Sequence, residues 1–279
     1  MKKNLYFITG SAIAIIISVT LGYFTGIVEV KNAIFLSFII HWILFIPAFL
    51  LKTEKFFDIT GTLTYVTSIL YVFIMTMDEK INYGNIIISI FIIFWSIRLG
   101  IFLFNRIKKA GEDKRFREIK KSFTWFFMTW TFSGMWVAIC SLCALTGIAN
   151  GIEINSISIT GMLIFLIGIT IEIIADNQKN NFRKKIINKD KFITTGLWKY
   201  SRHPNYLGEI ILWIGIAIIC IPSLEIKQMY TLISPFFTYI LLVYISGINF
   251  LEQNGDKKWG HLQEYKLYKE KTPRLFLFL

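Results

Sequence analysis

Eight stretches of this chain are long and apolar enough to cross a lipid bilayer. They lie near residues 5–24, 32–51, 58–77, 84–104, 123–147, 156–176, 205–222 and 228–250. A hydrocarbon core of roughly 30 Å takes about 20 helical residues. Inside it every backbone N–H and C=O has to find its partner without water, which a helix does within the segment itself. The pattern therefore predicts an all-α, polytopic transmembrane bundle of about eight spans (seven or eight, the stretch at 205–222 being short). The composition agrees, with 54% apolar and 16% aromatic residues and a mean hydropathy of +0.56, values that a water-soluble domain rarely reaches.

The basic residues orient the bundle. Lys31, Lys80 and Lys227 fall on one side and Arg98 lies inside a span. The rest of the 30 lysines and arginines collect on the other side, chiefly in 106–121, 179–202 and 257–274. Loops rich in Lys and Arg stay cytoplasmic, so both termini are expected in the cytoplasm and the chain is expected as a multi-pass protein of the cell inner (cytoplasmic) membrane. Lys2 and Lys3 precede an apolar run with no small-x-small cleavage pattern after it, which predicts a retained first helix. The net charge of +12 needs no nucleic-acid partner, because a basic cytoplasmic face accounts for it and suits anionic lipid headgroups or an anionic ligand. Cys140 and Cys143 share a helix face without further Cys or His ligands, so packing is expected and no metal. No internal repeat or soluble domain interrupts the chain.

Polar groups within a bilayer are costly and should face the bundle interior or a hydrated cavity. Three groups stand out. Trp95, Arg98, Phe102 and Asn105 follow one another at steps of three and four in the fourth span. Glu172, Asp176, Asn180 and Arg183 form a second stripe if the sixth helix continues past the membrane surface. The third group is "GLWKYSRHPNYLGEIILWIG", residues 196–215, which sets Arg202, His203, Asn205, Tyr206, Glu209 and Trp213 at the mouth of the seventh span. Pro204 bars the α conformation at His203 and predicts a helix start there, whose first-turn amides lack intrahelical acceptors and would suit an anion. Each residue taken singly could be an interfacial anchor or a structural ion pair. Three stripes, each beside a basic loop, predict a shared cavity open to the cytoplasm. Such a cavity fits a nicotinamide dinucleotide, whose phosphates pair with Arg and Lys, or, with fewer anionic groups, S-adenosylmethionine. No G-x-G-x-x-G follows a strand, so the soluble dinucleotide fold is excluded.

The segments "RLGIFLFNRIKKAGEDKRFREIK", "IEIIADNQKNNFR", "FITTGLWKYSRHPNYLGEIILWIGIAI" and "SGINFLEQNGDKKWGHLQEYKLYKEKTPRLF" resemble the steroid 5-alpha-reductase-like family of bacterial membrane proteins over roughly 55–279. The wider superfamily includes sterol C14 reductases, with Arg-His-x-Asn-Tyr-x-Gly-acid, and isoprenylcysteine carboxyl methyltransferases, with Arg-His-Pro-x-Tyr-x-Gly. Asn205 before Tyr206, Gly208-Glu209 after it, and Asp176 seven residues before Arg183 favour the reductase branch. The resemblance implies an NADPH-dependent reductase acting on a conjugated C=C bond in a lipid-soluble, steroid- or isoprenoid-like substrate. The alternative is an S-adenosylmethionine-dependent methyltransferase of a membrane substrate. Carried over by motif, Arg98, Asp176, Arg183, Arg202, His203, Asn205, Tyr206, Glu209, Trp213 and Glu252 would bind the cofactor, with Asp256 and Tyr265 closing its side. Within a single membrane domain of residues 1–279, spans in 1–104 would form the substrate pocket and 105–279 would carry the cofactor. Trp95 stands where steroid 5-alpha-reductases have a Tyr that polarises the substrate ketone, and an indole N–H is a very weak acid. The catalytic acid is thus unassigned, with His41, Asp58, Tyr65 and Tyr71 as candidates of more structural character.

Overall fold

The computed structural model describes residues 2–77 and 80–275, so the last residues of the family resemblance, 276–279, lie outside the described part. Among the described residues there is no strand, and eight helical stretches are long and apolar enough to span a membrane. The chain forms two compact units. The first takes in Met1–Asn155 with Cys220–Ser234, and the second Ser156–Ile219 with Pro235–Leu279.

The first unit contains α1 (Lys2–Phe24), α2 (Val28–Leu50), α3 (Phe57–Met75), α4 (Tyr83–Ala110), the short α5 (Phe116–Ile119) and α6 (Phe123–Asn150). Helix α6 is its axis, and every residue from Val137 to Ile148 is buried. Two helix starts are capped. The Asn82 side chain accepts from Asn85 N–H at 2.9 Å before α4, and Ser122 accepts from Trp125 N–H at 3.4 Å before α6. Helix α6 stops at Gly151, whose φ of 85° is open to glycine and costly for other residues. Helix α4 runs six residues past the expected end at 104. Its last turn carries Lys108 and Lys109, which suit the negative end of a helix, and nothing breaks it before Gly111. Phe45, Phe116, Phe126 and Trp130 pack under the following loop. The buried Glu54 carboxylate pins that loop by accepting from Asp113 N–H at 2.9 Å and Lys120 Nζ at 2.7 Å.

The second unit is built on α7 (Ser156–Lys184) and α8 (Pro204–Cys220, less its last residue). Helix α7 also outruns its apolar stretch, by eight residues, and ends on Arg183 and Lys184. The two helices are antiparallel and touch backbone to backbone. A Cβ placed on Gly168 would lie 2.5 Å from Leu212 N, and one on Gly208 would lie 2.6 Å from Glu172 N. Gly161 meets Ile219 N, and Gly215 meets Phe165 N, in the same way at 2.6 Å. Glycines seven residues apart on both helices thus permit a close approach of the kind small residues allow within membranes.

The eighth span, expected as one helix over 228–250, is broken. It opens as a 3-10 run, Ile226–Leu232, and continues as α9 (Ile233–Ile240) and a π segment, Leu241–Ile245. After Ser246 and Gly247 it resumes as α10 (Ile248–Trp259), followed by α11 (Gln263–Lys271). Pro235, without an N–H, sits where the 3-10 run gives way to α9. At the π segment, Arg274 from the C-terminal tail donates to the Val243 carbonyl at 3.4 Å, a group that a regular helix would pair internally, and to the Asn249 side-chain Oδ1.

Candidate functional site

The glycine contacts of the second unit carry two sequence motifs to one level. Phe165 faces Gly215 and Glu172 faces Gly208, and that register continued by one turn sets Asp176 level with Pro204. Sequence spacing alone left these motifs on separate helices. The loop between them folds back along the last turns of α7. Trp198 Nε1–H donates to the Ala175 carbonyl at 3.1 Å, Leu197 N–H donates to Gln178 Oε1 at 2.9 Å, and Lys179 Nζ lies 4.4 Å from the centre of the Trp198 ring. Trp198 is buried with Ala175 and Ile193, so the loop is packed rather than draped.

Helix α8 starts at Pro204, as its fixed φ predicts, and the His203 carbonyl accepts the first helical bond from Leu207 N–H at 3.0 Å. Around that start lie Glu172, Asp176, Glu209 and His203, all at most 6% exposed, with Trp213 a turn deeper at 1%. Tyr206 is half-buried, its ring centre 6.1 Å from that of His203. Arg183 stands at the exposed end of α7, seven residues beyond Asp176. Glu172, Asp176, Arg183, Tyr206, Glu209 and Trp213 all engage neighbouring groups.

The tail closes over this segment. His203 Nε2 is 2.7 Å from Glu252 Oε1, while Arg202 Nη1 and Lys269 Nζ stand 3.5 and 3.3 Å from Glu252 Oε2. Lys269 also pairs with Asp256 at 2.7 Å. Arg202 N–H donates to the Pro273 carbonyl at 3.0 Å, and Tyr268 OH donates to the Trp198 carbonyl at 2.6 Å. Burial holds the His203 imidazole below its ordinary pKa against the opposing pull of Glu252, so the ring is neutral at pH 7. Burial likewise pushes the Tyr265 phenol up to about 12 and raises Tyr268, leaving both protonated. Phe192, Trp259, Tyr265 and Tyr268 form an aromatic cluster beside these groups, Phe192 and Tyr265 meeting edge to face at 5.0 Å.

Three polar atoms in this segment are buried and have no hydrogen-bond partner among the described residues. They are Arg202 Nε, His203 Nδ1 and Asn205 Oδ1, and Arg274 Nε in the adjoining tail is a fourth. Such an atom costs about 1–3 kcal/mol when left unpaired. Four of them along one loop and the tail segment bonded to it form a set of groups ready for a polar ligand.

Arg98 belongs to the first unit, half-buried on α4. Trp95, 2% exposed, meets Tyr65 edge to face at 5.2 Å in the same unit. His41 is fully buried there and bonded at both nitrogens, to the Ser37 carbonyl at 2.7 Å and Ser133 Oγ at 3.0 Å. Tyr71 OH accepts from Asn32 at 3.1 Å. The three cysteines are free and buried, and among the described residues no three His, Cys, Asp or Glu side chains gather as metal ligands would.

Sequence reasoning missed Arg274, Lys269, Trp198 and Tyr268. None of them has a periodic signature, since each reaches the site through loop or tail geometry. The helix contact left one unread trace in the sequence, the paired seven-residue glycine spacings of 161 and 168 and of 208 and 215, although which glycine meets which residue is set by the fold.

Residues 42–272 match the family described as "Protein of unknown function (DUF1295)". A probable O-methyltransferase of Ustilaginoidea virens is 32% identical over a match covering 34% of this chain and 41% of that protein. A Delta(14)-sterol reductase of Arabidopsis thaliana is 26% identical over 43% of this chain and 32% of that protein. The chain thus spans less than half the length of these curated relatives. No solved structure matches it.

Proposed function

From the chain's membership of the DUF1295 family, which is steroid 5-alpha-reductase-like, we propose that it is a membrane-embedded, NADPH-dependent reductase of a C=C bond conjugated to a carbonyl in a lipid-soluble substrate. The observation that carries this reading is the set of unpartnered buried atoms at Arg202, His203 and Asn205. They fall in the very segment that resembles the sterol-reductase motif. A donor and two acceptors in a dry setting fit the polar edge of a nucleotide cofactor. When bound, NADPH supplies the hydride, chemistry that no side chain provides.

The residues of the second unit then have distinct tasks. Asp176 and Asn205 hold polar groups of the nucleotide, and Arg183 and Arg202 bring positive charge to its phosphates. Glu252 fixes the His203 ring, and the α7–α8 glycine contact fixes the spacing between the two motifs. The buried ring of Trp198 under Lys179 makes a rigid wall that excludes water. In this reading the apolar spans within 1–104 receive the substrate from the lipid, and both termini lie in the cytoplasm of a bacterial cell.

A second reading is an S-adenosylmethionine-dependent methyltransferase, favoured by the O-methyltransferase relative and by the Arg202-His203-Pro204 run shared with that branch. Thermal melting of the purified protein in detergent separates the two, because a ligand at 100 times its Kd stabilises by about 2.7 kcal/mol. Under the reductase reading NADPH raises the melting temperature, S-adenosylmethionine does not, and enone lipids cause NADPH absorbance to fall. Stabilisation by S-adenosylmethionine alone would replace this reading with the second.

A further inference from the structure

We propose that His203 Nδ1 and Asn205 Oδ1 form an acceptor pair for an NH2 group of the bound nucleotide, and that Glu252 creates this pair by fixing the imidazole tautomer. The inference rests on the cofactor reading above and goes beyond it by naming the chemical group held at the start of α8.

The tautomer follows from the partners. Glu252 is surrounded by Arg202 and Lys269, which keep it a carboxylate, and a carboxylate only accepts hydrogen bonds. The contact of 2.7 Å from Nε2 to Glu252 Oε1 therefore places the imidazole proton on Nε2 and leaves the Nδ1 lone pair bare. That nitrogen is buried on a residue 5% exposed and has no partner among the described residues. Asn205, two residues on, is half-buried, but its Oδ1 is likewise buried and without a partner among the described residues. The His203 backbone is anchored on both sides, its N–H donating to Ser201 Oγ at 3.2 Å and its carbonyl opening α8, and the Nε2 contact with Glu252 holds the ring.

Two buried acceptors, two residues apart at one helix start, select their ligand. A phosphate at neutral pH carries acceptors alone and would meet two lone pairs, so these atoms do not hold one, whatever the rest of the helix start attracts. A hydroxyl brings a single donor. A planar NH2 brings two N–H groups in one plane, and in both candidate groups it sits beside an acceptor that the third unpartnered atom, Arg202 Nε–H, can serve. NADPH carries two such groups, the nicotinamide carboxamide, with its C=O, and the exocyclic amine of adenine, with its ring nitrogens. Their shared chemistry is what this pair recognises.

Equilibrium binding to the detergent-purified full chain tests this with three probes. These are NADPH, its 3-acetylpyridine analogue, in which CO–CH3 replaces the carboxamide, and its hypoxanthine analogue, in which an oxygen replaces the adenine amine. Loss of an NH2 that meets two buried acceptors is expected to weaken binding by about tenfold or more. Weaker binding of either analogue supports the inference and identifies the end held. His203→Gln or Asn205→Ala should narrow the gap between NADPH and that analogue. Glu252→Gln, which frees the tautomer, should narrow it too, with the melting temperature reporting that each variant is folded. NADPH binding that neither analogue weakens overturns this inference and leaves the cofactor reading standing. Absence of NADPH binding overturns the cofactor reading itself, and this inference with it.

Discussion

His41 and His203 are both buried histidines, and the two units treat them differently. In the first unit His41 donates from Nδ1 to the Ser37 carbonyl and accepts at Nε2 from Ser133, so both nitrogens are spent on the fold. In the second unit His203 spends Nε2 on Glu252 and leaves Nδ1 open. The atoms of Ser89, Trp130 and Thr231 in the first unit that have no partner among the described residues are scattered over α4, α6 and the 3-10 run that opens the eighth span. Those of the second gather within residues 202–205 and the adjoining tail. A polar group in a membrane protein is informative only when its hydrogen bonds have been counted. A satisfied one is architecture, and a cluster with open valences calls for a ligand.

The largest effect that would test this contrast is at the helix contact of the second unit. Gly208→Leu would drive a Cβ into the α7 backbone at 2.6 Å from Glu172 N, and Gly168→Leu would do the same against Leu212 N. Either is expected to cost about 3 kcal/mol or more, seen as a collapse of the melting transition or loss of folded protein. Gly61→Leu on α3, where a Cβ meets nothing within 4 Å, serves as the first-unit control and should melt near wild type.

The histidines come next. His41→Ala removes a fully buried, doubly bonded ring and should lower stability by about 2 kcal/mol or more while leaving NADPH affinity unchanged. His203→Ala should do the reverse in proportion, with a smaller stability loss and binding weaker by about tenfold. Equal effects of the two on binding would break the comparison.

Smaller still is the effect at a pair of half-buried phenols. Tyr268 OH donates to the Trp198 carbonyl, and Tyr230 OH donates to the Leu21 carbonyl, each at 2.6 Å. Replacing either by Phe should cost about 1 kcal/mol in denaturation, and Tyr268→Phe alone should also weaken NADPH, by about twofold to threefold.

The pH dependence is the finest of these effects. The folded pKa of His203 lies below that of the unfolded chain, so between the two values the unfolded state binds more protons. Stability from this group is complete above about pH 6.5 and is lost as pH falls through the lower, folded value. The groups facing it are Glu252 and Lys269 from the tail, Arg202 beside it and Lys179 on α7, of which only Glu252 favours the imidazolium. Melting curves from pH 7.5 to about pH 5 should fall less steeply in His203→Gln than in wild type, and an identical slope would contradict this assignment.

The spans were legible because apolar length is a local property, and seven of the eight appear as single helices over their expected stretches, while the eighth is interrupted. Two excesses, at Ala110 and Lys184, were not, because polar residues such as those of 177–184 are as helical as apolar ones once a helix has begun. The broken eighth span was illegible for a different reason. Its π segment is held by Arg274, 31 residues beyond Val243, and no local pattern announces that contact. In the candidate site, Arg202-His203-Pro204-Asn205 was visible as chemistry out of place at the mouth of a membrane helix. What joins it to Asp176 is the register of four glycines, and what joins it to Glu252 is the fold of the tail. Both are tertiary facts.

Calorimetric titration of NADPH into the wild-type protein and into Asp176→Ala and Asn205→Ala, each checked for wild-type melting, puts the central claim to the most direct test. The account predicts saturable binding by the wild type and binding weaker by about tenfold or more in each variant. Affinity unchanged in both variants, or heat no greater than dilution in the wild type, would contradict it.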